Sequence, residues 1–212
     1  MRIRPLAAVL AALSVAASAH AIELVQWSSA TSGTLGPATV TLAGNGIDGL
    51  YTGGFVAGIF SAPHFTAPVS LEQAVSLITP SPFCCYEQFV LSFSMPVQGL
   101  RLHLASVASE LVFDATPTKL SGQDTLVVSG NTVTGGGLDG PTPNDANGTI
   151  EFAGTISTLT ITFARSVVAS PDNLFIQVAA QPVPEPASWL LMLAGASALG
   201  AAGARRRRAA AG

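Results

Sequence analysis

Polar and apolar residues alternate along much of this chain. Between positions 155 and 163, Leu159, Ile161 and Phe163 fall on one side of an extended backbone, and Thr158, Thr160 and Thr162 on the other. A period of two with β-branched residues on the polar side predicts a half-buried strand. Positions 89–95 repeat it, with Phe89, Leu91, Phe93 and Met95 against Val90, Ser92 and Ser94. Pro96 predicts the end of that strand, since proline has no N–H for a ladder. After Gly99 a new strand is predicted, in which Leu100, Leu102 and Leu104 face inward and Arg101 and His103 point out to solvent. Further strands are predicted at 23–28, 38–42, 55–60, 110–115, 125–129, 149–153 and 173–179. Only 71–77 has helical character.

Turn signals separate these runs: Gly44-Asn45-Gly46, Asp48-Gly49, Gly53-Gly54, Ser121-Gly122, Gly130-Asn131 and Gly135-Gly136-Gly137. Residues 138–148 read as a longer loop. Many short strands with one apolar face predict a mainly β domain over 22–181, an antiparallel β-sandwich or jelly roll.

Both ends depart from this pattern. Arg2 and Arg4 precede an apolar run from Leu6 to Ala17, and Ala17-Ser18-Ala19 and Ala19-His20-Ala21 both suit small-residue cleavage. Residues 1–21 therefore read as a secretion signal, too short to span a bilayer comfortably. Residues 182–186 are Pro-rich, which favours extended chain. Residues 187–204 carry no charge. As a helix they would be ~27 Å long, close to the ~30 Å hydrocarbon thickness. Trp189 stands at the start of that segment, and Arg205, Arg206, Arg207 and Arg208 follow it, the pattern of a single transmembrane helix with a cytoplasmic basic tail.

Val183-Pro184-Glu185-Pro186, an apolar helix and a four-arginine cluster, in that order, resemble the PEP-CTERM sorting domain. The resemblance covers about the last thirty residues. It implies a Gram-negative bacterium that makes exopolysaccharide, and an exosortase, a membrane transpeptidase-like enzyme, as partner. It also implies that Pro184, Glu185 and Pro186 are the recognition motif, that 190–199 lie in a transient inner-membrane anchor, and that Arg205, Arg206, Arg207 and Arg208 are retention charges. The helix would be removed and the mature protein passed to the cell surface or matrix. The tail alone assigns no role to the domain it follows.

Charge narrows the domain's partners. The chain has nine Lys and Arg and twelve Asp and Glu. Two of the basic residues lie in the signal and four in the tail, so residues 22–186 keep only Arg101, Lys119 and Arg165 against all twelve acids, a formal charge of −9. That excludes the basic footprint of a nucleic-acid binder.

Candidate chemistry is sparse. Cys84 and Cys85 are adjacent and form no CxxC or Cys/His metal pattern. A strained vicinal disulfide, an intermolecular bridge and two buried small apolar residues are all open. His64 and His103 are the only histidines in the middle, and no G-x-S-x-G, P-loop, GxGxxG or HExxH motif occurs. Asp139, Asn144, Asp145 and Asn147 share one loop and would suit calcium. Turn chemistry explains the same residues without a metal.

The sequence thus predicts a non-enzymatic, cofactor-free surface or extracellular-matrix protein, structural or adhesive in exopolysaccharide or biofilm. Its expected partners are the exosortase-like enzyme, the membrane and a polysaccharide matrix. The alternative is a carbohydrate-binding or carbohydrate-active ectodomain behind the same tail.

Overall fold

The computed structural model describes residues 21–61, 63–78, 87–136, 145–166, 173–183 and 195. Residues 1–20, Cys84, Cys85, Asp139, Asn144, Pro184, Glu185, Pro186, nearly all of the 187–204 segment, Arg205, Arg206, Arg207 and Arg208 lie outside them. The elements run β1 (Glu23–Leu24), β2 (Gln26–Ser29), β3 (Ser32–Leu35), β4 (Ala38–Ala43), β5 (Ile47–Thr52), α1 (Gly54–Phe60), β6 (Gln73–Ile78), β7 (Glu87–Val107), β8 (Ser109–Phe113), β9 (Pro117–Gly122), β10 (Val127–Ser129), β11 (Thr132–Thr134), β12 (Ala146–Ser166) and β13 (Asn173–Pro182). The described residues are mainly β, and all strand pairs among them are antiparallel.

Two strands of 21 residues, β7 and β12, organise the sheet. The predicted strands at 89–95 and 100–104 are one strand, so Pro96 does not end it. Pro96 instead marks a change of partners. Before it, β7 pairs β4 at Val90–Phe93, and β12 at Glu87–Ser92. After it, β7 pairs β13 and the other half of β12 from Val97 onward. A residue without an N–H fits where the ladder is interrupted, and its carbonyl still accepts the Val183 N–H at 2.8 Å. Gly99 follows in the left-handed region (φ +57°), with a register shift against β13. This bulge moves the buried positions of β7 from Phe89, Leu91, Phe93 and Val97 to Leu100, Leu102 and Leu104.

The sheet thereby has two branches. One carries β2, β3 and β4 on β7, and β8, β11 and β10 on β12. The other carries β13, β6 and β5 on β7, and β9 on β12. Buried residues of both branches form one core: Leu35, Val40, Leu42 and Phe113 from the first pack in the same cluster as Val75, Leu77, Ile176 and Phe152 from the second. The expected apolar face of 155–163 is there, with Leu159, Ile161 and Phe163 buried and Thr158 exposed.

Other expectations are corrected. Residues 55–60 form α1 rather than a strand. Val56 and Phe60 are four apart and both buried, a helical spacing that outweighs their β propensity. The helical reading of 71–77 gives way to strand β6, whose inner four residues are all buried. Val75 and Leu77 face the main core, while Ala74 belongs to a second cluster with Val56, Phe60, Ala105 and Phe175. Burial on both faces erases the polar alternation that would have marked a strand. Asp48-Gly49 is not a turn but lies within β5, at a register shift. The short strand β3, with β5, β9 and β11, was not anticipated. In β3, Gly33 sits where a Cβ would come within 2.8 Å of the Gln26 carbonyl oxygen, so strand pairing there needs glycine. Among the described residues no helix is long and apolar enough to cross a membrane, and the 187–204 segment lies outside that statement.

Candidate functional site

The polar residues of the second branch converge on its outer face. Register places Gln177 of β13, His103 of β7, Thr149 of β12 and Ser121 of β9 side by side. They project opposite to Leu102 and Leu104, as the alternation requires. The segment following α1 crosses this row and is fastened to each strand. The Gln177 side chain accepts the Ser70 N–H at 2.9 Å and donates to the carbonyls of Ser70 at 2.6 Å and Gln73 at 3.0 Å. Thr149 Oγ1 accepts the Thr66 N–H at 2.9 Å. Ser121 Oγ accepts the Thr66 hydroxyl at 2.8 Å and donates to the His64 carbonyl at 2.9 Å. One row along, Arg101 pairs with Glu151 at 2.7 Å through Nε and donates to the Ala67 carbonyl at 2.8 Å through Nη1.

His103 therefore points away from the main core, as its place among leucines predicts, yet it is not a surface residue. It is 0% exposed. The alternation sets the direction of the side chain; the strap over it removes the solvent. Nδ1 lies 2.9 Å from Thr149 Oγ1, the Phe65 ring meets the imidazole edge-on at 6.3 Å, and Nε2 is buried without a well-formed hydrogen bond. Burial lowers its pKa from the ordinary 6.5 to about 4; the Pro68 carbonyl opposes this and the Arg101 charge adds to it. A neutral, solvent-excluded imidazole bonded to a threonine fits a fastening role. A general base needs a reachable substrate proton. His64 contributes its main-chain carbonyl to Ser121, in the loop where the sequence places it.

Asp145 and Asn147, the described half of the calcium candidate, both turn to Ser106. Asp145 Oδ2 accepts the Ser106 hydroxyl at 2.6 Å and Asn147 Oδ1 accepts its N–H at 2.9 Å. Ser106 has φ +61°, so these bonds hold an unfavourable backbone turn in β7. Among the described residues no group of three or more His, Cys, Asp or Glu could hold a metal ion.

Gln177, Thr149, Ser121, Thr66 and Ser70 were not singled out from the sequence. A signal existed for two of them: Thr149 and Gln177 are polar positions beside Ile150 and Ile176 in predicted strands. Gln177→Leu is expected to strand the backbone groups of Ser70 and the carbonyl of Gln73. The local cost is about 1–3 kcal/mol. Hydrogen exchange at the Ser70 amide and protease nicking within 63–72 should both accelerate well before the sheet melts; unchanged exchange would show that the strap is held by other means.

The other candidate site is where the chain leaves the domain. β13 ends at Pro182, which pairs with Val97 and is buried, and Val183 makes the last described backbone bond, to Pro96. Strand structure thus reaches one residue into the expected Pro-rich linker. Pro184, Glu185 and Pro186 come next in sequence.

No curated protein and no solved structure matches the chain. Residues 182–208 match the family model of the PEP-CTERM protein-sorting motif, so the chain carries this motif near its C-terminus, the mark of an exported protein sorted by an exosortase-dependent route.

Proposed function

We propose that this is a cell-surface or extracellular-matrix protein with a non-enzymatic, structural or adhesive role in exopolysaccharide or biofilm. Its domain, read as a two-layer sandwich, is held at the inner membrane by a helix over 187–204 until an exosortase-like enzyme removes the tail. Arg205, Arg206, Arg207 and Arg208 keep the end of that helix cytoplasmic. The match of 182–208 to the sorting motif carries the reading. The use of His103, Thr149 and Ser121 as fasteners supports a non-enzymatic domain. The rival, a carbohydrate-binding or carbohydrate-cleaving domain, draws on the Phe55 ring, 53% exposed and 5.4 Å from the Tyr51 ring.

Replacing Pro184, Glu185 and Pro186 together by alanine tests the sorting claim. The expected product is an unprocessed chain that stays in the inner-membrane fraction, read by fractionation and by mass spectrometry of the C-terminus. Normal release with a trimmed tail would refute it.

A further inference from the structure

The sorting motif leaves the fold with almost no slack. Gln181 pairs with Gln98, Pro182 with Val97, and the Val183 N–H reaches the Pro96 carbonyl at 2.8 Å. The ring of Pro182 is buried beside Gly36, where an added Cβ would lie 3.6 Å from its Cγ. The Pro184-Glu185-Pro186 stretch of the motif follows Val183 directly, and the uncharged segment starts at Ala187. From Val183 to Ala187 an extended chain reaches roughly 14 Å.

Extended chain is a recurring form in which a peptide is recognised, because its main chain and alternate side chains are then free to be bound. On the N-terminal side of Pro184, Val183 is bonded to Pro96, and every residue from Pro182 back to 173 is in a strand. The surroundings offer an enzyme little to dock on. Gly36, Ser94, Gln98 and Thr155 are exposed and uncharged, none is a large apolar side chain, and the Glu23 carboxylate stands beside Gly36. Interfaces draw most of their energy from a few buried residues, chiefly Trp, Tyr and Arg. The described backbone pairings of 181–183 all run to β7, so this end can peel from one side alone.

We propose that residues 181–183 form a clasp on β7 that must open before the exosortase-like enzyme can take the motif, so that the folded domain governs the rate of tail removal. This rests on the sorting reading above. It makes the Val183–Pro96 bond and the Pro182 contact positioning features of the substrate.

The test is an insertion of Gly-Ser-Gly-Gln-Pro-Val after Val183 in the full chain. The motif keeps the residues that precede it but gains free chain, and the clasp itself is untouched. Pulse-chase in cells that hold the enzyme reads the conversion to the trimmed form. The insertion is expected to speed conversion at least about fivefold, the factor for the Val183–Pro96 hydrogen bond alone no longer having to break. An unchanged rate overturns the clasp, and a slower one overturns it in favour of docking on the folded end. Alanines at 184–186 in the inserted chain should stop conversion. If conversion persists there, the sorting reading fails instead, independently of the clasp. Equal melting curves for parent and inserted chains confirm that the domain is unaltered.

Discussion

Replacing Phe152 with alanine is expected to lower the unfolding free energy by about 3–5 kcal/mol. Phe152 sits in β12 opposite Leu100 of β7 and Pro117 of β9, fully buried. Its ring lies 5.2 Å from Phe113 of β8. Phe113 belongs to one branch of the sheet and Phe152 to the other, so this pair ties the branches across their shared core. Deleting the ring leaves a cavity between two branches whose long common strands limit collapse, which places the cost at the upper part of the range. Phe152→Leu keeps most of the volume and should cost less than about 1.5 kcal/mol. Denaturant unfolding of the 22–181 domain measures both. A loss of about 1 kcal/mol or less for alanine, or a separate early transition of one branch, would mean that the branches do not share a core.

Acid should weaken the domain through His103. Its folded pKa, about 4, lies below the ordinary 6.5 because burial disfavours the charged ring. Between those values the unfolded chain binds a proton that the folded chain does not. Stability is therefore full above about pH 6.5, declines as pH falls, and the loss is complete below about pH 4. A shift of this size corresponds to about 3 kcal/mol. For a domain of this length that is roughly 2–4 °C of melting temperature per kcal/mol. The stability difference between the natural chain and His103→Gln, followed from pH 7 to pH 4, isolates this contribution from the carboxylates. The two curves should converge as pH falls; parallel curves would show that the ring is hydrated in solution. Since the ring contacts Thr149, which also holds the Thr66 N–H, hydrogen exchange at Thr66 should rise over the same range.

Much of the strand content was legible because period-two alternation survives wherever one face is wet. At 155–163 threonines alternate with Leu159, Ile161 and Phe163, and strand is found there, although it is continuous with the strand expected separately at 149–153. The pattern fails where both faces are covered. Residues 71–77 read as a helix because the inner residues of β6 are all buried, with Val75 and Leu77 in one cluster and Ala74 in another. It fails also at Pro96, where a residue that usually stops a strand sits at a change of partners. Residues 55–60 show the reverse error: their i, i+4 spacing was in the sequence, but their Phe, Val and Ile content argued for a strand.

The sequence by itself determined the address. Residues 182–208 carry a linear motif, recognisable in the chain from residue identity and order alone. It also determined which way Arg101 and His103 point, because alternation on a strand is a local property of the backbone. Whether those side chains meet water was decided only by tertiary structure. The strap that covers them bonds Ser70 to Gln177 across 107 positions and Thr66 to Thr149 across 83. A pattern of period two reports the direction of a side chain; what stands opposite it depends on which distant segment the fold brings there.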